Sequence, residues 1–442
     1  MLVKQTYSTS QIVFIGITLF SLFFGAGNLI FPVMLGQLSG THVWTAISGF
    51  IITGVLLPLL GVMALGYSGE KDFLKLCQRL GTVFGLIFAT TLYLAIGPLF
   101  AMPRTGSVSF EMSIKPFIAS QHESISLAIF TLLYFSVSCL LSINPTKIVA
   151  IVGKFLTPIM LLFIAILIIY SVFQPMGEMQ QALTKEYINQ PFFSGFTEGY
   201  LTMDTLASLI FGIIIVDNIN RIGITNRTHA VKTCLKASII AGCLLGLLYI
   251  CLAYLGASSV QTTGVLKNGG EVLVKAAIHY FGSLGTIILG VIVVLACITT
   301  TIGLTIACAN YCHKLIPVIS YKWYVILFSI ASMLFANVGL NQLISISVPI
   351  LYIIYPLTIV LIVLLFTHNL FKGKKAVYVG AMYSTLIVSL FDGLNAAKLS
   401  IDVVNQLFKQ YLPFYSASLG WTFMAIIGAI IGYLFDIIYN KK

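Results

Sequence analysis

Long apolar runs alternate with short polar connectors along the whole sequence. Runs of 18 or more mostly apolar residues are typical of helices that cross a lipid bilayer. The pattern therefore predicts an all-α polytopic membrane protein, in which each spanning helix satisfies its own backbone hydrogen bonds. The twelve predicted spans cover residues 9–36, 42–66, 82–110, 125–142, 147–172, 199–220, 235–257, 280–311, 322–337, 341–368, 376–395 and 416–438.

Composition and charge agree with a place in the cell membrane. Only 8% of the 442 residues are charged, against about 25% in soluble proteins. The net charge of +11 could suggest nucleic acid, but its distribution indicates membrane orientation. With both termini in the cytoplasm, 17 of the 24 basic residues lie inside and face anionic lipid, as the positive-inside rule requires. The other seven are Arg104, Lys115, Lys185, Lys267, Lys275, Lys398 and Lys409.

The first span contains SLFFGAGNLIFP, which places Gly25, Gly27, Asn28 and Pro32 in the middle of a membrane helix. Unwinding between Phe24 and Gly27 would free backbone groups at a depth where unsatisfied groups are costly. The half-helix after the break would present N–H groups to a carboxylate, and the half-helix before it would present carbonyls to a cation. The alternative is that both glycines only allow close helix packing.

A second interrupted span suggests an internal repeat. The segment LTMDTLASLIFGIIIVDN comes five spans after the first and again carries small and polar residues at mid-membrane depth. Paired interruptions of this kind are typical of inverted-repeat transporters. We therefore predict a 5+5 inverted repeat, with units 1–172 and 173–369 followed by two further spans in 370–442. The outer connectors 174–198 and 396–415 are mildly amphipathic and predict short surface helices, either as connectors or as parts of a lid.

Four segments carry a family resemblance that covers essentially the whole chain. SLFFGAGNLIFPVMLGQLSG resembles the first helix of the bacterial branched-chain amino acid:cation symporters (the LIVCS or BrnQ type), and YLTMDTLASLIFG resembles their sixth helix. LYLAIGPLFAMPRTGSVSFE and NPTK are similar to further family segments. The resemblance implies uptake of leucine, isoleucine and valine with a cation, usually sodium, on a LeuT-like fold with discontinuous helices 1 and 6.

The resemblance also implies roles for individual residues. The turn formed by Gly25, Ala26 and Gly27, with Asn28 beside it, would hold the substrate carboxylate. The implied sodium ligands are the carbonyls of Ser21 and Phe24 together with Ala296, Thr299 and Thr300. Without the resemblance, the threonines would be interpreted as hydroxyls bonded back to their own helix.

The same reasoning extends to the sixth and third spans. Peptide groups and apolar side chains near a break in the sixth span would meet the substrate amine and its branched tail. The residues expected to flank that break are Ala207, Ser208, Leu209 and Phe211. Tyr93 in the third span is expected either to line the substrate or to lie at the membrane interface.

Arg104 is an ionisable residue inside a predicted span, which makes it a functional candidate. We consider an intramembrane ion pair with Asp204, with Glu111 and Glu198 as other partners, or snorkelling of the side chain to the outer interface. Asp204 could instead cap its own helix. The first span has no arginine after its break, unlike neurotransmitter transporters of the LeuT type, so their outer gate is not carried over.

Other functional classes fit the sequence less well. It contains no Walker loop, metalloprotease motif or Ser/His/Asp arrangement, so no enzyme, catalytic residue or cofactor is predicted. A channel would need a selectivity filter, and a sensor would need an output domain. A proton-coupled transporter, or one for a broader set of neutral amino acids, remains an alternative to sodium coupling. The oligomeric state stays open.

Overall fold

The computed structural model describes residues 9–70, 72–144, 147–221 and 227–439. Both chain termini, which the sequence predicts to be cytoplasmic, lie outside these ranges. The described residues are 86% helical and include no strand, which confirms the all-α prediction. In chain order the α-helices are α1 Thr9–Phe23, α2 Ala26–Ser39, α3 Val43–Ile51, α4 Leu57–Ser68, α5 Phe73–Cys77, α6 Thr82–Leu94, α7 Ala101–Ser113, α8 Glu123–Ile143, α9 Lys147–Phe173, α10 Lys185–Asn189, α11 Pro191–Glu198, α12 Asp204–Arg221, α13 Arg227–Thr263, α14 Gly269–Leu315, α15 Tyr321–Ala336, α16 Leu340–Phe366, α17 Lys375–Ala396, α18 Asp402–Tyr411 and α19 Trp421–Tyr439.

Within the described ranges, eight helical segments are long and apolar enough to cross a membrane. Three shorter apolar helices accompany them, at Gln11–Phe23, Leu161–Phe173 and Tyr321–Ala336. The helices follow the predicted spans closely, although several spans consist of two consecutive helices. The count of twelve crossings stays a prediction.

The predicted break in the first span is present, and it is shorter than expected. α1 ends at Phe23 and α2 begins at Ala26, so only Phe24 and Gly25 lie outside helix. The side-chain amide oxygen of Asn28 accepts the Gly25 N–H at 3.0 Å, which replaces a backbone partner lost at the break. Gly25 has φ −133°, which any residue can adopt, so its backbone does not require glycine.

Two further breaks lie in the third and sixth spans. A π-helical turn at Ala95–Leu99 separates α6 from α7, with non-helical torsion angles at Gly97 beside Pro98. Proline has no N–H to donate and clashes with the preceding turn, so the helix is interrupted here. The sixth span breaks at Met203, which has φ 64° and lies between the 3₁₀ turn Gly199–Thr202 and α12.

Small residues hold α2 tightly against α13. A Cβ added at Gly36 would lie 2.0 Å from the Ala253 carbonyl oxygen, and one added at Gly256 would lie 2.0 Å from the Val33 carbonyl oxygen. Close approach of backbones through small residues is a general way of packing membrane helices. The helix that follows the first break is therefore firmly positioned at its C-terminal half.

Short helices occupy both of the long connectors that are predicted to lie outside, as the sequence predicts. α10 and α11 lie in the first connector and α18 lies in the second. α11 packs against α3 and leads directly into the turn before the Met203 break. The prediction of surface helices is confirmed for α10 and α18, whereas no residue of α11 is exposed. A role as an external lid stays a prediction.

Candidate functional site

The breaks in the first and sixth spans meet around a cavity near the centre of the helix bundle. The cavity volume is about 40 Å³, well below the range of about 300–1,000 Å³ that is usual for small-molecule sites. Most of its lining is apolar, and a few polar groups converge on it. It is lined by Leu22, Phe23, Gly25, Ala26, Gly27, Asn28, Ile96, Ala101, Arg104, Thr105, Thr202, Met203, Asp204, Ala207, Phe211, Thr300 and Leu304.

Nine of the residues singled out from the sequence line this one cavity, although they come from four different spans. This convergence could not be read from the sequence, because it depends on how the first, third, sixth and eighth spans pack together. The nine residues are Gly25, Ala26, Gly27, Asn28, Arg104, Asp204, Ala207, Phe211 and Thr300.

Asn28 links the two breaks through its side chain. Its amide nitrogen donates to Asp204 Oδ2 at 2.5 Å and to the hydroxyl of Tyr249, which in turn donates to the same carboxylate oxygen at 3.2 Å. Tyr249 is fully buried in α13, in the predicted seventh span. Sequence reasoning missed it, and the available signal was a tyrosine in mid-membrane, which needs a polar partner when buried.

Asp204 is the first residue of α12 and is buried. Its carboxylate accepts the bonds from Asn28 and Tyr249 at Oδ2, and neither of these bonds reaches Oδ1. Both donors come from other helices. The carboxylate thus joins three helices at the cavity. Its role is therefore wider than capping its own helix.

Arg104 is 5% exposed, so the expectation that it snorkels to the interface is wrong. Its guanidinium donates from Nη1 to the Leu201 carbonyl at 2.5 Å and from Nη2 to the Thr202 carbonyl at 3.2 Å. These carbonyls end the 3₁₀ turn before the Met203 break, where the last turn of a helix leaves its carbonyls without helical partners. The guanidinium also lies over the Phe31 ring, with Cζ 5.1 Å from the centroid.

The expected ion pair between Arg104 and Asp204 is not formed directly. Both side chains line the cavity, but the ion pairs of the described residues do not include either of them. Arg104 donates hydrogen bonds to backbone carbonyls instead, and its Nε is buried without a hydrogen-bond partner in the described part of the chain. Glu111, another expected partner, pairs with Lys115 at 2.7 Å.

The expectation for the sixth span needs correction, because its break lies at Met203 and not among residues 207–211. Ala207 and Phe211 still line the cavity from within α12. Ser208 and Leu209 are buried within the helix, where the Ser208 hydroxyl donates to the Thr205 carbonyl at 2.7 Å. One side of a helix meets the cavity, so residues three or four positions apart, such as Ala207 and Phe211, can contribute to it, while the residues between them cannot.

Tyr93 lies away from the cavity. Its ring stacks on that of Tyr311 with centroids 3.9 Å apart, and it also contacts the Phe73 ring. Its side chain is buried and is not part of the cavity lining, so the expected substrate contact is not supported, while the interfacial position stays a prediction. It belongs to an aromatic cluster between α5, α6 and α14.

The candidate sodium ligands are brought together in part. Thr300 lines the cavity, and its Cγ2 atom is 3.6 Å from a Cβ built at Gly25, so the eighth span approaches the first break. The Thr299 and Thr300 hydroxyls both donate to the Ala296 carbonyl, at 2.7 and 3.2 Å. This back-bonding uses the hydroxyl hydrogens and leaves oxygen lone pairs available to a cation.

The two candidates from the first span, Ser21 and Phe24, have side chains that are engaged elsewhere. The Ser21 hydroxyl donates to the Ile17 carbonyl at 2.9 Å, and the Phe24 ring stacks on Phe20 with centroids 5.2 Å apart. Both side chains are thus engaged with residues of α1; the Ser21 carbonyl lies in the last turn of α1, and the Phe24 carbonyl lies in the break itself. In the described part of the chain, no cluster of three or more His, Cys, Asp or Glu residues could hold a metal ion.

Solved structures with the same architecture are transporters of the LeuT-like type. The structure superimposes on the nucleobase-cation-symport-1 family transporter Mhp1, in a closed conformation with bromovinylhydantoin bound, with a TM-score of 0.61 and 14% identity over 95% of this chain and 91% of that one. MhsT in complex with L-phenylalanine gives 0.56 and 13% identity over 97% and 98%. At such low identity these similarities establish the fold alone.

Sequence relatives are far more similar. The chain is 51% identical to the branched-chain amino acid permease BrnQ of Bacillus subtilis over 99% of both chains. It is 43% identical to the branched-chain amino acid transport system 2 carrier protein of Pseudomonas aeruginosa over 97% and 96%. The family model described as branched-chain amino acid transport protein matches residues 8–439. The chain therefore belongs to this family of multi-pass membrane permeases, which are not enzymes.

Proposed function

We propose that the protein imports leucine, isoleucine and valine by symport with a cation, sodium, through alternating access. One observation carries this proposal: a cavity with mostly apolar walls contains a buried guanidinium and a buried carboxylate that are not paired with each other. An amino acid zwitterion with an apolar side chain supplies a carboxylate to pair with the guanidinium and an ammonium group to pair with the carboxylate. Because unpaired buried charges are costly, such a ligand is favoured over a ligand that carries only a positive or only a negative charge.

The orientation of the substrate follows from the charges. The carboxylate is placed at the N-terminal turn of α2, beside Gly27 and the Nε of Arg104, where N–H groups and a positive charge converge. The ammonium group is placed at Asp204, whose Oδ1 accepts neither of the bonds from Asn28 and Tyr249. The branched tail then meets apolar walls, which are formed by Phe23, Ile96, Ala207, Phe211 and Leu304.

The coupling cation is placed between the first break and the eighth span. The close approach of Thr300 to Gly25 supports this position, with the carbonyls of Ser21, Phe24 and Ala296 and the hydroxyls of Thr299 and Thr300 as candidate ligands. Neutral oxygens suit sodium, which does not require a full counter-charge. Coupling to protons, or a broader range of neutral amino acids, is the alternative.

In the proposed arrangement, twelve spans cross the cell membrane and both termini lie in the cytoplasm. The first ten spans form a 5+5 inverted repeat. The discontinuous first and sixth spans, which meet at the cavity, support this arrangement because such helices form the substrate and ion sites of inverted-repeat transporters. Alternating access then requires movement of one helix group around a fixed central site.

Competition for leucine binding tests the proposed substrate class. We expect isoleucine and valine to displace labelled leucine from the purified protein at concentrations similar to leucine itself. Lysine and glutamate should compete weakly, because the cavity has no spare charge of either sign for their side chains. Strong displacement of leucine by lysine would contradict the proposed site.

Removing one candidate cation ligand tests the ion position. In the Thr300→Ala variant we expect the sodium concentration for half-maximal leucine binding to rise about tenfold, or about 1.4 kcal/mol. Binding of the two ligands is reciprocal, so leucine affinity should fall at low sodium and recover at high sodium. Thr18→Ala is the matched control, because the Thr18 hydroxyl is bonded to the Phe14 carbonyl at 2.8 Å in the same manner. An unchanged sodium dependence in Thr300→Ala would place the ion elsewhere or indicate proton coupling.

A further inference from the structure

Another π-helical turn lies in the second span, and the proposed function does not use it. The turn covers Ile52–Leu56 and joins α3 to α4. Its residues Thr53, Gly54 and Val55 are buried. Single π-helical turns inside α-helices are rare and are frequent at functional sites. A backbone group that such a turn frees inside a membrane protein needs another partner.

The position of Pro58 accounts for this turn. Proline has no N–H to donate, and its ring clashes with the carbonyl four residues earlier, which here is that of Gly54. The Leu57 N–H donates to the Ile52 carbonyl, five residues back, so it is not spent on the Thr53 carbonyl. The residue five positions after Thr53 is Pro58 itself, which has no hydrogen to offer. The Thr53 carbonyl is therefore available to a partner outside its own helix.

The sixth span supplies that partner. The Thr205 hydroxyl donates to the Thr53 carbonyl at 3.0 Å, and both residues are 0% exposed. Thr205 directly follows Asp204 in the first turn of α12. The hydrogen bond from the second span thus holds the residue next to the carboxylate on which the substrate ammonium group is placed.

Thr53 also contacts the chain on the other side of the Met203 break. Its hydroxyl donates to the Phe196 carbonyl of α11 at 2.7 Å and lies 3.3 Å from the Phe50 carbonyl of its own span. A Cβ built at Gly199 would lie 2.0 Å from the Thr53 Oγ1 atom, so the two segments approach closely here. Thr53 therefore joins the segments that precede and follow the break.

The break needs such support because Met203 adopts φ 64°. A non-glycine residue in this left-handed region persists only where the surrounding structure holds it. Arg104 holds the two carbonyls before Met203, and Thr53 holds the first turn of the helix after it. Asp204, one residue after Met203, takes its position from both contacts.

We propose that Thr53 and Thr205 are positioning residues, which direct the Asp204 carboxylate towards the substrate and so favour ligands that carry an ammonium group. Loss of the hydrogen bond between them lets the first turn of α12 shift together with Asp204. The ligand carboxylate binds at the start of α2 and at Arg104, which lie outside this contact. The inference rests on the proposed function, because it takes Asp204 as the partner of the ammonium group.

The Thr205→Val variant tests this role, because it removes the hydroxyl and keeps a similar shape. At fixed sodium, leucine binding to the purified protein should weaken roughly tenfold, as expected for a lost buried hydrogen bond. Binding of 4-methylpentanoate, the leucine analogue without the amino group, should weaken less than about twofold. Thr205→Ser keeps the hydroxyl and should restore leucine binding. Thr53→Val should act in the same direction as Thr205→Val, and it replaces that variant should Thr205→Val fail to fold.

Thr358→Val is the matched control. Thr358 is also 0% exposed, and its hydroxyl donates to the Ile354 carbonyl of its own helix at 2.9 Å. This variant should bind both ligands like the wild type. Equal effects of Thr205→Val on the two ligands, or no rescue by Thr205→Ser, would overturn the positioning role if Asp204→Asn still distinguishes the ligands. Should Asp204→Asn not distinguish them, or the wild type bind no leucine, the proposed function would be wrong and the positioning role would fail with it.

Discussion

The Gly27→Leu variant is expected to lose leucine binding while it still folds and inserts into the membrane. A Cβ atom at this position would lie 2.8 Å from Nη2 of Arg104 and 3.3 Å from the Phe31 ring. Any side chain here therefore displaces the guanidinium, and it also fills the space at the α2 N-terminus in which the carboxylate is proposed to bind. We expect affinity to fall by at least roughly a hundredfold, equivalent to about 3 kcal/mol.

Gly303→Leu is the matched control for this substitution. Gly303 lies in α14 and is exposed on the helix surface, and no described atom lies within 4 Å of a Cβ built there. The leucine affinity of the Gly303→Leu variant should equal that of the wild type. Gly27→Ala should fall between the two, since one methyl group disturbs Arg104 but leaves part of the space free. Normal binding by Gly27→Leu would show that the substrate lies elsewhere.

Substitutions of Asp204 and of Arg104 are expected to have different effects on the binding of a substrate analogue that lacks the amino group. Asp204→Asn should weaken leucine binding by roughly a hundredfold, because the ammonium group of leucine would lose a charged hydrogen bond worth about 3 kcal/mol. It should weaken binding of 4-methylpentanoate, which has no amino group, much less. Arg104→Lys should weaken leucine and 4-methylpentanoate together, because both carry the carboxylate. Equilibrium binding of both ligands to each variant provides the measurement.

The choice of Arg104→Lys as the second variant takes account of the structural role of this residue. The Leu201 and Thr202 carbonyls need a donor, so truncation to alanine would leave buried acceptors unsatisfied. Lysine retains a charge and donors but lacks the planar fork of the guanidinium. If Asp204→Asn impaired leucine and 4-methylpentanoate equally, its carboxylate would act through the network with Asn28 and Tyr249 and not through the ammonium group.

The first break could be located from the sequence because its causes are local. Gly25, Gly27 and Asn28 stand together in an apolar run, and the Asn28 side chain does replace a backbone partner there. The third-span break, which was not predicted, has an equally local cause, since Gly97 and Pro98 are adjacent. Helix breaks with such local causes can be predicted from the sequence alone.

The sixth-span break was misplaced because no local signal marks it. Met203 adopts a left-handed conformation that few non-glycine residues adopt. The surrounding structure imposes this conformation, since Arg104 holds the two carbonyls just before it. The partnership between Asn28 and Tyr249 likewise joins residues 221 positions apart. Such contacts depend on helix packing, which a single sequence does not specify.

The most direct test of the proposed function is uptake of labelled leucine into proteoliposomes that contain the purified protein. With an inward sodium gradient, we expect leucine to accumulate above its external concentration, and we expect accumulation to collapse when sodium is equal on both sides. Liposomes that contain Gly27→Leu serve as the inactive control. Accumulation that is the same with and without the gradient, or no uptake of leucine under either condition, would contradict sodium-coupled import.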